Sequence, residues 1–138
     1  MIYEEMEYTA NKFEIPKLIA DGDYKNYHYI IVNFGTHPCA YIRLPKTSQF
    51  YTEHYGAIDI KVRRPHGGFT FSDFLFDKDF DQKTRAITGQ EGWYVGWDYA
   101  HLGDYNPYVM DGKKYTVAEI ETEIKQVIDS IVECENKN

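Results

Sequence analysis

Two hydrophobic periods alternate along this chain. Trp93, Val95 and Trp97 interleave with Tyr94, Gly96 and Asp98, the two-residue period of a strand with unlike faces. Tyr27 to Phe34 is an apolar run centred on Ile30, Ile31 and Val32. A turn follows at Gly35-Thr36-His37-Pro38, then a second run from Cys39 to Leu44 that Pro45 halts. These two runs predict a hairpin. Ala57 to Val62 also alternates, with Ile58, Ile60 and Val62 on one side and Asp59 and Lys61 on the other, and predicts a half-buried strand. Phe69, Phe71 and Phe74 interleave with Thr70, Ser72 and Asp73. Phe13 to Gly22 is compatible with one short helix, Pro16 in its first turn and Gly22 stopping it.

The period changes after Thr116. Val117, Ile120, Ile124, Val127, Ile128 and Ile131 recur at three- and four-residue spacing, and Thr116 with Glu119 forms a capping box. This predicts an amphipathic helix from about Val117 to Cys134, which needs a sheet to cover. The fold class is therefore α+β, a single mainly antiparallel sheet with a long C-terminal helix on one face. Lys46 to Gly56 reads as a loop, and Asp77 to Gly89, charged and aperiodic, as a mobile one.

Composition narrows the picture. At 138 residues, 1–138 is expected to form a single domain with a real core. The formal net charge of −7 argues against duplex nucleic acid as a partner, because phosphate neutralisation needs clustered Lys and Arg. Cys39 and Cys134 are far apart and fit neither a disulfide framework nor a thiolate metal knuckle. With no apolar leader or spanning run, the expected location is cytoplasmic and no membrane is expected as a partner. Aromatic content is 17%, with 13 Tyr, which suits half-buried strands and contact surfaces alike.

Candidate chemistry gathers in two runs. In the first, His66-Gly67-Gly68-Phe69-Thr70-Phe71-Ser72, paired glycines permit positive φ and close approach of backbone N–H groups to an anion. Arg63 and Arg64 precede it, and Arg is the usual planar partner of phosphate. On a strand, Thr70 and Ser72 would present both hydroxyls to one side, with Phe69 and Phe71 facing the core. No Walker or dinucleotide pattern is present. In the second run, Trp97-Asp98-Tyr99-Ala100-His101-Leu102-Gly103-Asp104, the Asp-x-x-His-x-x-Asp spacing offers carboxylate and imidazole donors suited to Zn²⁺, Mn²⁺ or Fe²⁺. The purely structural alternative has Asp98 capping a short turn, His101 packed beside it and Gly103 closing it. Arg43, His37 and His54 could reach a shared cleft, whereas His28 reads as structural.

In order, the runs HGGxTxS (His66 to Ser72) and WxxGxDxAHxGD (Trp93 to Asp104) resemble a group of small phage and prophage proteins of uncharacterised activity. Here Tyr99 stands where that group typically carries Cys. The resemblance spans about Cys39 to Asp104 and implies a phage-encoded accessory protein acting in the host cytoplasm. Small phage proteins of this kind often antagonise host defence, some by sequestering nucleotide-derived signals.

Three functions follow as expectations. The first is capture of a small anionic, nucleotide-derived ligand by Arg43, Arg64, His66, Gly67, Gly68, Thr70, Ser72, Trp97, Asp98, His101 and Asp104. It needs no cofactor and allows a homo-oligomer to complete the pocket. The second is a metal-dependent hydrolase or phosphodiesterase, in which His66, Asp98, His101 and Asp104 hold a divalent ion such as Zn²⁺ or Mn²⁺ and His66, Asp98 and His101 are the catalytic candidates. The third is inhibition of a host protein through the acidic surface. The first two require the glycine pair and the carboxylates flanking His101 to share one hollow.

Overall fold

The computed structural model describes residues 1–77 and 89–137. Five strands form one sheet: β1 (Lys17–Tyr24), β2 (Tyr27–Asn33), β3 (Pro38–Leu44), β4 (Phe71–Leu75) and β5 (Gly92–Asp98). Their order is β1-β2-β3-β5-β4, and every neighbouring pair is antiparallel. A short helix, α1 (Tyr55–Asp59), lies between β3 and β4, and α2 (Val117–Asn136) ends the chain. The architecture is α+β, with α2 packed on one face of the sheet.

The helix forms where its periodicity places it. Thr116 accepts from the Glu119 N–H and Glu119 reaches back to the Thr116 N–H, completing the capping box. All six seam residues, from Val117 to Ile131, are buried. They meet Ile19, Tyr29, Ile31, Ala40 and Ile42 from the sheet. The opposite face carries its own cluster of Ile30, Val32, Cys39, Tyr41, Leu75 and Tyr94.

Two local expectations are corrected. Phe13 to Gly22 is not a helix; Lys17–Tyr24 is the edge strand β1. Lys25 and Asn26, at φ 49° and 68°, make the positive-φ hairpin turn to β2. Gly22 is no helix stop: a Cβ there would lie 2.6 Å from the Tyr29 hydroxyl, so glycine lets that ring cross the strand. An irregularity between Leu18 and Ala20 turns both Ile19 and Ala20 inward and hides the strand period. Ala57 to Val62 is not a strand either. His54 caps α1 by accepting from the Gly56 N–H, and of the alternating residues only Ile58 is fully buried while Ile60 is 82% exposed. The segment has the period of a strand but pairs with no strand among the described residues. Of the expected loop from Asp77 to Gly89, residues 78–88 lie outside the described residues.

Three sheet or loop phenols reach carboxylates on α2: Tyr27 to Glu135, Tyr29 to Glu121 and Tyr99 to Glu123. Burial, then the adjacent carboxylate, holds each hydroxyl well above the ordinary phenol value of 10.0. Because the folded-state values are raised, their stabilisation is intact below pH 10 and declines as the pH climbs above it, where the unfolded chain ionises first. We expect melting temperature to fall steeply above pH 10. Tyrosinate absorbance should develop in part only with unfolding, and full phenol titration before any loss of structure would contradict this.

Candidate functional site

β3 begins and β5 ends at the same end of the sheet, where Cys39 pairs with Asp98. Asp98 therefore projects on the face away from α2, beside Cys39. The next residue, Tyr99, is buried under the helix: its N–H donates to the Pro38 carbonyl at 3.1 Å and its hydroxyl accepts from Trp97 Nε1 at 3.1 Å while donating to Glu123. The chain then doubles back. Asp98 Oδ1 accepts from the Ala100 N–H at 3.1 Å, and the Asp104 N–H donates to the His101 carbonyl at 2.9 Å across a turn with Gly103 at φ 93°. This is a tight turn rather than a helical one, and Asp104 binds it from the inside, its Oδ2 accepting from the His101 N–H at 2.8 Å.

The glycine run arrives from the other side. The His66 N–H donates to Glu123 Oε2 at 3.2 Å, which ties the loop to α2. The His66 ring stacks on Tyr99, with centroids 4.8 Å apart and planes 12° apart, and Tyr115 flanks it at 5.1 Å. His66 Nε2 lies 2.7 Å from Asp104 Oδ2. Gly67, at φ 71°, passes directly beneath His101: a Cβ would sit 2.3 Å from His101 Cε1. Both motif runs thus meet in one place, in contact through His101 and Asp104.

One ligand atom each from His66, His101 and Asp104 lie within 4.8 Å of one another. His101 Nδ1 is buried and makes no hydrogen bond, standing 3.5 Å from Asp98 Oδ1 and 3.8 Å from Asp104 Oδ2. Two imidazoles and a carboxylate are the donor set of a catalytic zinc-type centre, which leaves a fourth position for water. Ligands about 2.0–2.1 Å from a tetrahedral ion lie roughly 3.4 Å from each other. The two separations from Asp104, 2.7 Å to His66 and 3.8 Å to His101, straddle that spacing, within a set spanning at most 4.8 Å. Asp104 is almost fully buried, and a buried carboxylate facing two imidazoles is best satisfied when cationic charge accompanies it.

Three hollows lie at or near the cluster. One, of about 190 Å³, is lined by His37, His101 and Asp104, and another, of about 310 Å³, by His66, Tyr115 and Glu123. The third, a groove of about 500 Å³ on the sheet face away from α2, shares His37 with the first and is lined by Thr70, Asp98, Phe71, Tyr41, Phe13 and Lys12. Thr70 Oγ1 donates to Asp98 Oδ2 at 3.2 Å. Burial lowers the His37 imidazole below its ordinary 6.5, with the Asp98 carboxylate opposing that shift.

Several residues expected at the site are elsewhere or otherwise engaged. Arg43 pairs with Tyr94 towards the opposite end of β5, its Nε donating to the Glu91 carbonyl at 2.8 Å. Arg64 stands over Gly68 but is bound to Asp59 at 2.9 Å. The Ser72 hydroxyl accepts from the Tyr55 N–H at 3.0 Å, and Thr70 and Ser72 do not point together. Phe69 lies in the helix-side core whereas Phe71 packs on the other face, because β4 starts only at Phe71. Trp97 is buried beneath α2, so its ring cannot stack on a ligand. Of the expected anion cradle, the Gly68 N–H donates to the Pro65 carbonyl, and the N–H groups that follow are engaged too, Phe69 with Asp59 and Thr70 with Gly96. His54 is taken up as the cap of α1.

Glu123, Tyr99 and Tyr115 seat His66 and were not among the residues singled out from sequence. Their only local signal is a helix glutamate and tyrosines in a tyrosine-rich chain. Comparison with family models, with curated proteins and with solved structures finds no match for this chain. Among the described residues no helix is long and apolar enough to cross a membrane.

Proposed function

We propose that this protein is a metal-dependent hydrolase of small phosphoesters, its divalent ion held by His66, His101 and Asp104. The observation that carries this reading is the convergence of one ligand atom each from His66, His101 and Asp104 within 4.8 Å, with the His101 Nδ1 buried and not hydrogen-bonded, near a groove large enough for a small molecule. Held there, a divalent ion would supply a water of lowered pKa and offset charge on the phosphoryl oxygens. Asp98, 3.5 Å from His101, accepts the water's proton as its oxygen bonds to phosphorus. The P–O bond to the leaving group breaks, and Asp98 returns the proton to the departing oxygen. Thr70 and the Ala100 N–H orient Asp98 for this role.

The donor set suits Zn²⁺ or Mn²⁺. Following the resemblance to small phage proteins, the substrate would be a nucleotide-derived signal of the host. The test is metal analysis of protein purified without added chelator, with hydrolysis of bis(p-nitrophenyl) phosphate and of cyclic and linear dinucleotides followed by phosphorus NMR. We expect about one equivalent of metal and turnover that EDTA abolishes and Zn²⁺ or Mn²⁺ restores. Metal-free protein that takes up neither ion overturns the proposal. So does a metal-loaded protein that retains a nucleotide and returns it intact, which would assign the site to capture.

A further inference from the structure

The groove on the open face of the sheet indicates which phosphoesters fit. Its floor is Tyr41 and Phe71, packed edge to face with ring centroids 5.2 Å apart. Phe13, on the Lys12–Pro16 segment, and Phe34 line the groove as well; the Phe13 N–H donates to the Phe34 carbonyl at 2.8 Å, and the Phe34 ring stacks on His37 with centroids 6.0 Å and planes 26° apart. Aromatic rings thus dominate the lining, which suits a flat group. Its polar lining residues are Thr70 and Asp98, beside the candidate metal cluster, together with Lys12 and Glu14. Lys12 Nζ is 5.9 Å from the Phe34 ring centroid, so a cation borders the groove. A volume of about 500 Å³ exceeds a base and accommodates a mononucleotide.

We infer that this groove seats the nucleobase of the substrate against the rings of Phe13, Phe34, Tyr41 and Phe71, and so delivers the attached phosphate past Asp98 to the ion. The inference rests on the hydrolase reading for the fate of the phosphate, but base binding does not require the metal. A flat heterocycle with N–H donors and ring acceptors matches both parts of the lining, the rings by its faces and Glu14 and Lys12 by its edges. An aliphatic ester would make less use of a ring-lined groove, and the Gly68, Phe69 and Thr70 N–H groups that a bare phosphate would seek are already bonded.

The test is calorimetric titration of EDTA-treated protein with adenosine, guanosine, cytidine and uridine, their 5′-monophosphates and ribose 5-phosphate. We expect at least one nucleoside and its monophosphate to bind, and ribose 5-phosphate not to bind. Phe13→Ala and Phe34→Ala should each weaken nucleoside binding roughly tenfold or more, the effect of losing one stacking ring. Phe13→Leu, which keeps bulk without the ring, should weaken it too while leaving melting and metal content unchanged. Failure of every nucleoside to bind, or binding unaffected in all three variants, overturns the inference. Nucleoside binding by a protein that takes up no metal would leave the groove assignment standing and remove the hydrolase. Hydrolysis of bis(p-nitrophenyl) phosphate without nucleoside binding would do the reverse.

Discussion

His101→Ala is expected to lower phosphoester hydrolysis by roughly three orders of magnitude, about 4 kcal/mol in transition-state stabilisation. It removes the imidazole whose Nδ1 is buried without a hydrogen bond, leaving two of the three donors. The His66–Asp104 contact at 2.7 Å does not involve that ring and survives, so the metal-free variant should melt close to wild type. What should vanish is the rise in melting temperature that Zn²⁺ or Mn²⁺ gives the wild type through preferential binding to the native state. Asp98→Asn provides the contrast. It keeps all three donors and should hold one equivalent of metal, yet lose turnover with kcat rather than KM affected, because the proton acceptor is gone. If His101→Ala retained wild-type metal content and turnover, His101 would be packing only and the centre proposed here would not exist.

Gly67→Ala should cost about 1–2 kcal/mol of stability from the left-handed backbone alone, at φ 71°. Its larger effect is local. The new Cβ would fall 2.3–2.6 Å from three atoms of the His101 ring, so the imidazole must leave its place and metal affinity should drop at least tenfold to a hundredfold. Gly68→Ala separates the two effects. Its φ of 84° carries the same backbone cost, but its Cβ would meet the Arg64 guanidinium, the mobile end of an exposed side chain. Urea unfolding should show similar losses for both variants, and metal titration should show a defect in Gly67→Ala alone. Equal metal affinity in the two would mean that the His101 ring adjusts freely and that Gly67 serves only the turn.

The purely structural account of Asp98, His101 and Asp104 is partly right. Asp98 does bind the Ala100 N–H and Asp104 does bind the His101 N–H, so both carboxylates hold the turn. That account leaves His101 Nδ1 without a hydrogen bond, between two carboxylates at 3.5 Å and 3.8 Å, and does not require a second imidazole, His66, to come from 38 residues away onto Asp104.

Where pattern and environment agree, the residues alone determine the outcome. The 3.6-residue period and capping box of α2 need no knowledge of the sheet, since cap and seam are local. The alternation of β5 similarly sorts Trp93, Val95 and Trp97 onto the helix side and Tyr94 and Asp98 onto the other. The two motif runs name the residues that meet, because unusual density of His, Asp and Gly is visible in one dimension. Tertiary structure decided everything that depends on a distant partner. Strand or helix at Leu18 to Gly22 turned on pairing with β2, and the alternating segment of Ile58, Ile60 and Val62 pairs with no strand among the described residues. Only folding showed that Arg43 is remote, that Arg64 is held by Asp59, and that the Gly68 N–H is already bonded to Pro65. It also brought Glu123 beneath His66. Hydrogen bonds and ion pairs are satisfied by whatever lies within about 3 Å, and for these groups that neighbour is set by how sheet and helix pack, not by position along the chain.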